Sequence, residues 1–308
     1  MKSYNSLIIV FITLFLSLGN LACKKEKIEE DKKTEVPSTI NDDEKIKCNG
    51  SEALCNKKYD EVTYVTTHNA FNHGGGGSVN YTFPNQQFNL TKQMQDGVRA
   101  LMLDVYDVDG QATVYHGFQF TGSEPFVNNL YEIRNFLRDN PHEIITIILE
   151  CYVPFSMIKD EILTAGLYSY LYTKKPNDDW STLKEMISTN KRLVILSDEN
   201  DAVKEDWYHY VWHHAVETPF SINDVSEFDC SLNRGNINND LFILNHFATT
   251  EIGTGDLNRS RQANAAPFLL NRALQCEQEV GKRVNFLTVD FYAEGSVFEA
   301  AEFLNNRE

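Results

Sequence analysis

From residue 62 onward, short runs of β-branched, aliphatic and aromatic residues recur, each closing on an ionisable or amide side chain. They are VTYVTTHN (62–69), VRALMLDVYD (98–107), ATVYHG (112–117), EIITIILE (143–150), RLVILSDE (192–199), LFILNHF (241–247) and NFLTVDFY (285–292). Near-continuous apolar runs of this length fit strands buried on both faces, as in a parallel sheet covered by helices. Helical patterning fills several of the intervals, at 88–97, 124–139, 156–165, 180–189 and 258–280. Strand alternating with helix predicts a single α/β domain, a TIM-like (β/α) barrel with room for irregularity. Seven strands are clear, and an eighth is expected within HHAVETPF (213–220). The polar group ending each run then falls at the carboxyl end of its strand, the rim where barrel enzymes assemble their sites. An open doubly wound sheet would gather polar groups at its carboxyl edge too, but the glycine run at 74–77 lacks the lysine of a nucleotide-phosphate loop.

The pattern changes before residue 48. Lys2 is followed by the apolar run Leu7–Leu18 and then by Gly19-Asn20-Leu21-Ala22-Cys23. That run is short for a bilayer span and reads as the core of an export signal. Residues 1–23 resemble a bacterial lipoprotein signal with Cys23 as the acylated residue, although Asn20 stands where an aliphatic residue is usual. Ordinary cleavage, giving a secreted form without lipid, is the alternative. Residues 24–47 are charged and nearly free of large apolar groups, as expected of a disordered tether. The folded unit is expected over 48–308.

Charge and cysteines narrow the function classes. A formal net charge of -16 argues against neutralising nucleic-acid phosphates and against electrostatic adhesion to an anionic membrane. Export implies an oxidising compartment. With Cys23 set aside, Cys48 with Cys55 and Cys230 with Cys276 are plausible pairs, and Cys151 follows an apolar run as a buried thiol. Sequence alone leaves the pairing open.

His68 closes the first run and His116 the third. Each alone reads as a structural residue, but two at one rim offer a base and an acid near working pH. Asn69, Asp104 and Glu150 add oxygen donors from three runs, a set suited to Ca2+ or Mg2+ rather than zinc. A plain ion pair of the two carboxylates with Arg99 explains them equally well.

The ordered segments THNAFN, QMQDGVRALMLDVYDVDG, VYHGFQF and NPHEIITIILE, followed by LNHF and TVDFY, resemble the catalytic X region of phosphatidylinositol-specific phospholipases C. The resemblance implies that His68 is the general base, His116 the general acid, and Asp290 the carboxylate orienting the base. It implies cleavage of phosphatidylinositol to diacylglycerol and inositol 1,2-cyclic phosphate at a membrane surface. Asn69 after the histidine and Asp104 match the metal-using branch, which adds an acidic ligand where this chain has Met102. Arg99, His246 and Tyr292 are expected near the substrate. Members acting on polyphosphorylated inositides carry lysines where this chain has Ser197-Asp198-Glu199, so phosphatidylinositol or a glycosylated form is favoured. Trp207, Tyr208, Tyr210 and Trp212 suit either a sugar platform or the core, and His73, His213 and His214 read as surface or structural. Two alternatives stay open: a glycerophosphodiester phosphodiesterase, whose His-Arg-Gly motif is missing, and a non-catalytic inositol- or glycan-binding lipoprotein.

Overall fold

The computed structural model describes residues 46–75, 79, 81–175, 178–199 and 205–307. The expected signal segment, Cys23 and nearly all of the tether lie outside the described residues. The described chain forms one α/β domain. Its strands are β1 (Tyr64–Thr67), β2 (Ala100–Val108), β3 (Gln111–Val114), β4 (Glu124–Pro125), β5 (Ile145–Tyr152), β6 (Leu193–Ser197), β7 (Tyr208–Tyr210), β8 (Ala215–Glu217), β9 (Leu241–Asn245) and β10 (Phe286–Val289). The helices are α1 (Leu90–Asp96), α2 (Phe126–Asp139), α3 (Phe155–Ala165), α4 (Leu183–Ser188), α5 (Leu257–Ala263), α6 (Phe268–Val280) and α7 (Val297–Asn305).

A parallel row runs β7-β6-β5-β2-β1-β10-β9-β8, the barrel order expected from the alternating pattern. Among the described residues, the two end strands, β7 and β8, do not pair. Only the helical turn Val211–His213 joins them. The barrel is therefore open along one seam.

One expected barrel strand lies elsewhere. ATVYHG contributes β3, which folds back antiparallel on β2 with Val105 opposite Val114. The cause is a two-residue turn, Asp109-Gly110, with positive φ at both positions (53° and 83°). That is the Asp-Gly hairpin signature, whose twist matches the flanking strands. The vacant place in the parallel row is filled by β7, from the aromatic segment at 207–212. The eighth strand does fall in 213–220, as β8.

Side-chain alternation splits the apolar residues into two layers. Val65, Leu101, Leu103, Ile147, Leu149, Ile195, Phe242, Leu244, Leu287 and Val289 pack in the cluster that includes the helix residues Leu130, Ile133, Ile158 and Leu269. Tyr64, Ala100, Ile148, Leu196, Ile243 and Phe286 form the other cluster, inside the sheet. Continuing the inward series in steps of two residues along each strand reaches His68, Asp104, Glu150, Asp198 and Asp290. The same alternation that fills the interior with hydrocarbon thus ends it in polar groups at one mouth. Cys48–Cys55 and Cys230–Cys276 are disulfides, and Cys151 is a buried free thiol.

Candidate active site

β1 and β10 are neighbours in register, with Thr67 opposite Val289. The residues just beyond them, His68 and Asp290, are therefore brought together: His68 Nδ1 lies 2.9 Å from Asp290 Oδ1. Asp290 is fully buried. Its second oxygen accepts from Asn85 Nδ2 at 3.0 Å. One face of the His68 ring stacks on Phe247, with centroids 3.8 Å apart and planes inclined by 9°.

His116 reaches the same mouth from the β2–β3 hairpin. Its Nδ1 lies 3.3 Å from Asp104 Oδ2, and its Nε2 donates to the Gly253 carbonyl at 3.0 Å. Burial pulls this imidazole down, but the hydrogen bond and charge of Asp104, with help from Gly253 and Asp290, outweigh it and lift the pKa to about 9. The His68 and His116 ring centroids are 6.3 Å apart, nearly at right angles.

Asn69 sits between them. With its amide turned so that both ends are satisfied, the nitrogen donates to the two Asp104 oxygens at 3.1 Å. Its oxygen then accepts from His116 Nδ1 at 3.0 Å and lies 3.2 Å from His68 Nε2. This buried residue adopts φ of 46°, left-handed backbone that asparagine tolerates better than most side chains. Phe291, directly after Asp290, has the same φ of 46°. Strain of this kind concentrates where surrounding contacts hold a site in place, and here the clamp is visible. Gln86 Nε2 donates to the carbonyls of His68 and Val289, while the Phe291 amide donates to the Asn85 carbonyl.

Below the histidines is a pocket of about 70 Å3 lined by His68, Met102, Asp104, Ile148, Glu150 and Asp198 on one side, with Trp212, Glu217, Arg234 and Phe247 among its other walls. Asp104 and Glu150 stand opposite each other on paired strands. Burial and then the charge of Asp104 push the Glu150 carboxyl up. Asp198 is also pushed up, chiefly by burial. Arg234 pairs with buried Glu217 and lies over the Trp212 and Phe220 rings, 4.4 and 4.6 Å from their centroids.

Of the expected ligand set, Asp104 and Glu150 face one pocket, whereas the Asn69 amide turns its nitrogen toward Asp104. Among the described residues, no three His, Cys, Asp or Glu side chains converge closely enough to enclose an ion. Three expected substrate-side residues stand away from the pocket. Arg99 points into the helix layer, where its Nε pairs with Glu143 at 2.7 Å. His246 is fully buried between the Ala263 carbonyl (2.8 Å) and Arg272 (3.0 Å), and burial together with Arg272 drives its pKa to about 3. Tyr292 donates to Asp96 at 2.7 Å. Of the four aromatics near β7, Trp212 lines the pocket, whereas Trp207 and Tyr208 pack in the core.

Sequence reasoning missed Asn85, Gln86, Phe247, Glu217 and Arg234. For Phe247 a signal existed: Ile243, Asn245 and Phe247 form the inward series of that strand, which sends His246 outward.

The PI-PLC X 1 family model matches residues 54–305. A PI-PLC X domain-containing protein of Arabidopsis thaliana is 32% identical over 270 residues, covering 80% of this chain and 62% of that protein. A protein of Arthroderma benhamiae described as an uncharacterized secreted protein is 27% identical, covering 84% of this chain and 64% of its own length. The chain thus spans less than two thirds of either relative. In a solved structure of Staphylococcus aureus phosphatidylinositol-specific phospholipase C, the fold matches with a TM-score of 0.58 at 14% identity, over 82% of this chain and 95% of that one.

Proposed function

Because the chain belongs to the PI-PLC X-domain family, we propose that it is a phosphodiesterase cleaving phosphatidylinositol, or a glycosylated form, to diacylglycerol and inositol 1,2-cyclic phosphate. One observation carries this reading. Two imidazoles, each on its own carboxylate, face each other across one mouth with centroids 6.3 Å apart, a span that brackets the attacking and leaving oxygens of a single phosphodiester.

Asp290 accepts the His68 Nδ1 proton and so leaves Nε2 as the base. His68 Nε2 takes the proton of the inositol 2-hydroxyl, whose oxygen forms the new bond to phosphorus. The Asn69 oxygen, 3.2 Å away, is placed to accept from Nε2 once the ring is charged. His116, with its pKa lifted to about 9, enters protonated at neutral pH. It gives its Nε2 proton to the diacylglycerol oxygen as that P–O bond breaks, the leaving oxygen taking the place of the Gly253 carbonyl. General acid and base groups contribute about 10²–10⁴-fold each.

Asp104 and Glu150, opposite each other on paired strands, are the oxygen donors that would hold a hard cation such as Ca2+, with water completing its shell. When bound, the ion would neutralise charge on a non-bridging phosphoryl oxygen. Crowding of carboxyl groups in the pocket supports this, since burial and then Asp104 raise Glu150, and Asp104 is also among the causes that raise Asp198. Ca2+ is expected to raise the melting temperature and a chelator to slow turnover; neither response in the wild-type protein would remove the metal from the scheme.

The same carboxylates, with Glu217, leave the pocket acidic and disfavour extra inositol phosphates. Around the acid histidine the surface is apolar: Phe118, Phe120 and Ile252 are 65%, 85% and 78% exposed. Such a patch suits contact with a bilayer carrying the substrate. Two disulfides support an oxidising, exported location, with anchoring through Cys23 part of the proposal. Among the described residues, no helix is long and apolar enough to cross a membrane.

Phosphorus NMR of phosphatidylinositol vesicles incubated with the protein tests the reading. A cyclic phosphodiester signal is expected. A linear glycerophosphate product would instead favour the glycerophosphodiesterase reading, and saturable inositol binding without turnover a binding lipoprotein.

A further inference from the structure

A second cleft lies at the other end of the sheet, below the open seam between β7 and β8. It has a volume of about 420 Å3 and is walled by Asp60, Lys174, Trp180, His209, His214 and Asp240 among others, a size that suits a small organic molecule. Asp60, His214 and Asp240 precede β1, β8 and β9, so the cleft opens at the amino ends of strands whose carboxyl ends carry the catalytic groups. None of its walls takes part in the phosphodiester chemistry.

Two buried acceptors in this cleft have no donor: Asp60 Oδ1 and His209 Nε2 lack any hydrogen-bond partner. His209 is 4% exposed, and its other ring nitrogen is bonded to the Tyr172 carbonyl, so Nε2 presents a lone pair. His214 stands edge-on to it, with centroids 5.3 Å apart. Burial, reinforced for His209 by His214 and for His214 by Lys174, holds these rings neutral, with pKa values of about 3 and about 4. Two neutral rings do not attract an anion. Burial, with Asp240 nearby, pushes the Asp60 carboxyl up.

The charge balance around these acceptors is negative. Among the described residues, Asp60, Asp178, Asp206 and Asp240 line the cleft, against one lysine, Lys174. That lysine is already engaged, by Asp240 at 3.8 Å and by the Trp180 ring at 5.2 Å. Buried polar groups are ordinarily paired, and an unmade bond is costly. What would satisfy both acceptors is a ligand that brings N–H donors and positive charge together. A bare metal ion fits less well, because the space far exceeds one ion.

We propose that this cleft binds a small organic ammonium ion, whose N–H groups donate to Asp60 Oδ1 and His209 Nε2. Titration calorimetry of the full-length protein with spermidine, in physiological salt, tests it. The expected result is one saturable site, weakened about tenfold or more by Asp60→Asn and, separately, by His209→Phe, with turnover at the histidine mouth unchanged. No saturable heat in the wild-type protein would overturn the proposal. So would displacement of spermidine by calcium chloride at matched ionic strength, which marks diffuse attraction to an acidic surface, or unchanged affinity in both variants. Should His209→Phe lower the melting temperature sharply, the near-isosteric Asp60→Asn variant and the wild-type titration still decide.

Discussion

Histidines at the two ends of this sheet, and one between its layers, differ only in what surrounds them. At the carboxyl mouth, His68 and His116 each meet a carboxylate, Asp290 and Asp104. At the amino end, His209 and His214 meet burial and other rings, and His246 meets an arginine; these three sit at pKa values of about 3 to 4. His116, also largely buried, is lifted to about 9. Desolvation acts on His116, His209, His214 and His246 in the same direction, so the partner decides the outcome. Imidazole content alone therefore marks no site here; imidazole set against a carboxylate at the strand ends does.

The sharpest way to break this contrast is to remove the rings. His68→Ala and His116→Ala are each expected to lower phosphatidylinositol turnover by about 10²–10⁴-fold while leaving the unfolding midpoint near that of the wild type. Near wild-type rates in either would dissolve the distinction between the two ends. Next in size is Asp104→Asn, which keeps His116 but removes its partner. The wild-type protein should lose activity as pH rises through about 9, where the acid gives up its proton. In the variant that limb should move down toward the ordinary histidine value of about 6.5. The linked stability has the same sign: a raised folded pKa stabilises the fold fully below about 6.5 and loses that contribution as pH climbs through about 9. A limb that stays in place would show that Asp104 does not set it. The smallest effect is expected at His246→Gln, which can still accept from Arg272 and donate to Ala263; turnover should be unchanged, and a large loss would put this residue back at the substrate.

Much of this mouth was legible in the chain because strand alternation is a strong signal. Each of His68, Asp104, Glu150 and Asp290 continues an inward series, so identifying the strands placed them at one rim. The same rule places Phe247 at the pocket and His246 behind it, and Arg99 in the helix layer; residue type outweighed phase in the expectation for both. The β3 hairpin was misplaced for a related reason, since an apolar run in a barrel context reads as another parallel strand although Asp109-Gly110 marks a tight turn. Asn85 and Gln86 were illegible. They act as buried amides whose partners are far away in sequence, Asp290 and the carbonyls of His68 and Val289, and a polar triplet after a proline looks like any surface turn. The seam between β7 and β8 was equally hidden, because three-residue strands carry almost no periodicity.

The account stands or falls on the division of labour between the two rings, and leaving-group dependence measures it most directly. Each alanine variant is assayed on phosphatidylinositol and on an inositol phosphodiester whose leaving group is nitrophenolate, which departs without being protonated. The deficit of His116→Ala should shrink strongly on the nitrophenyl substrate, while that of His68→Ala stays the same on both. Equal deficits for the two variants on both substrates would contradict the assignment of base to His68 and acid to His116.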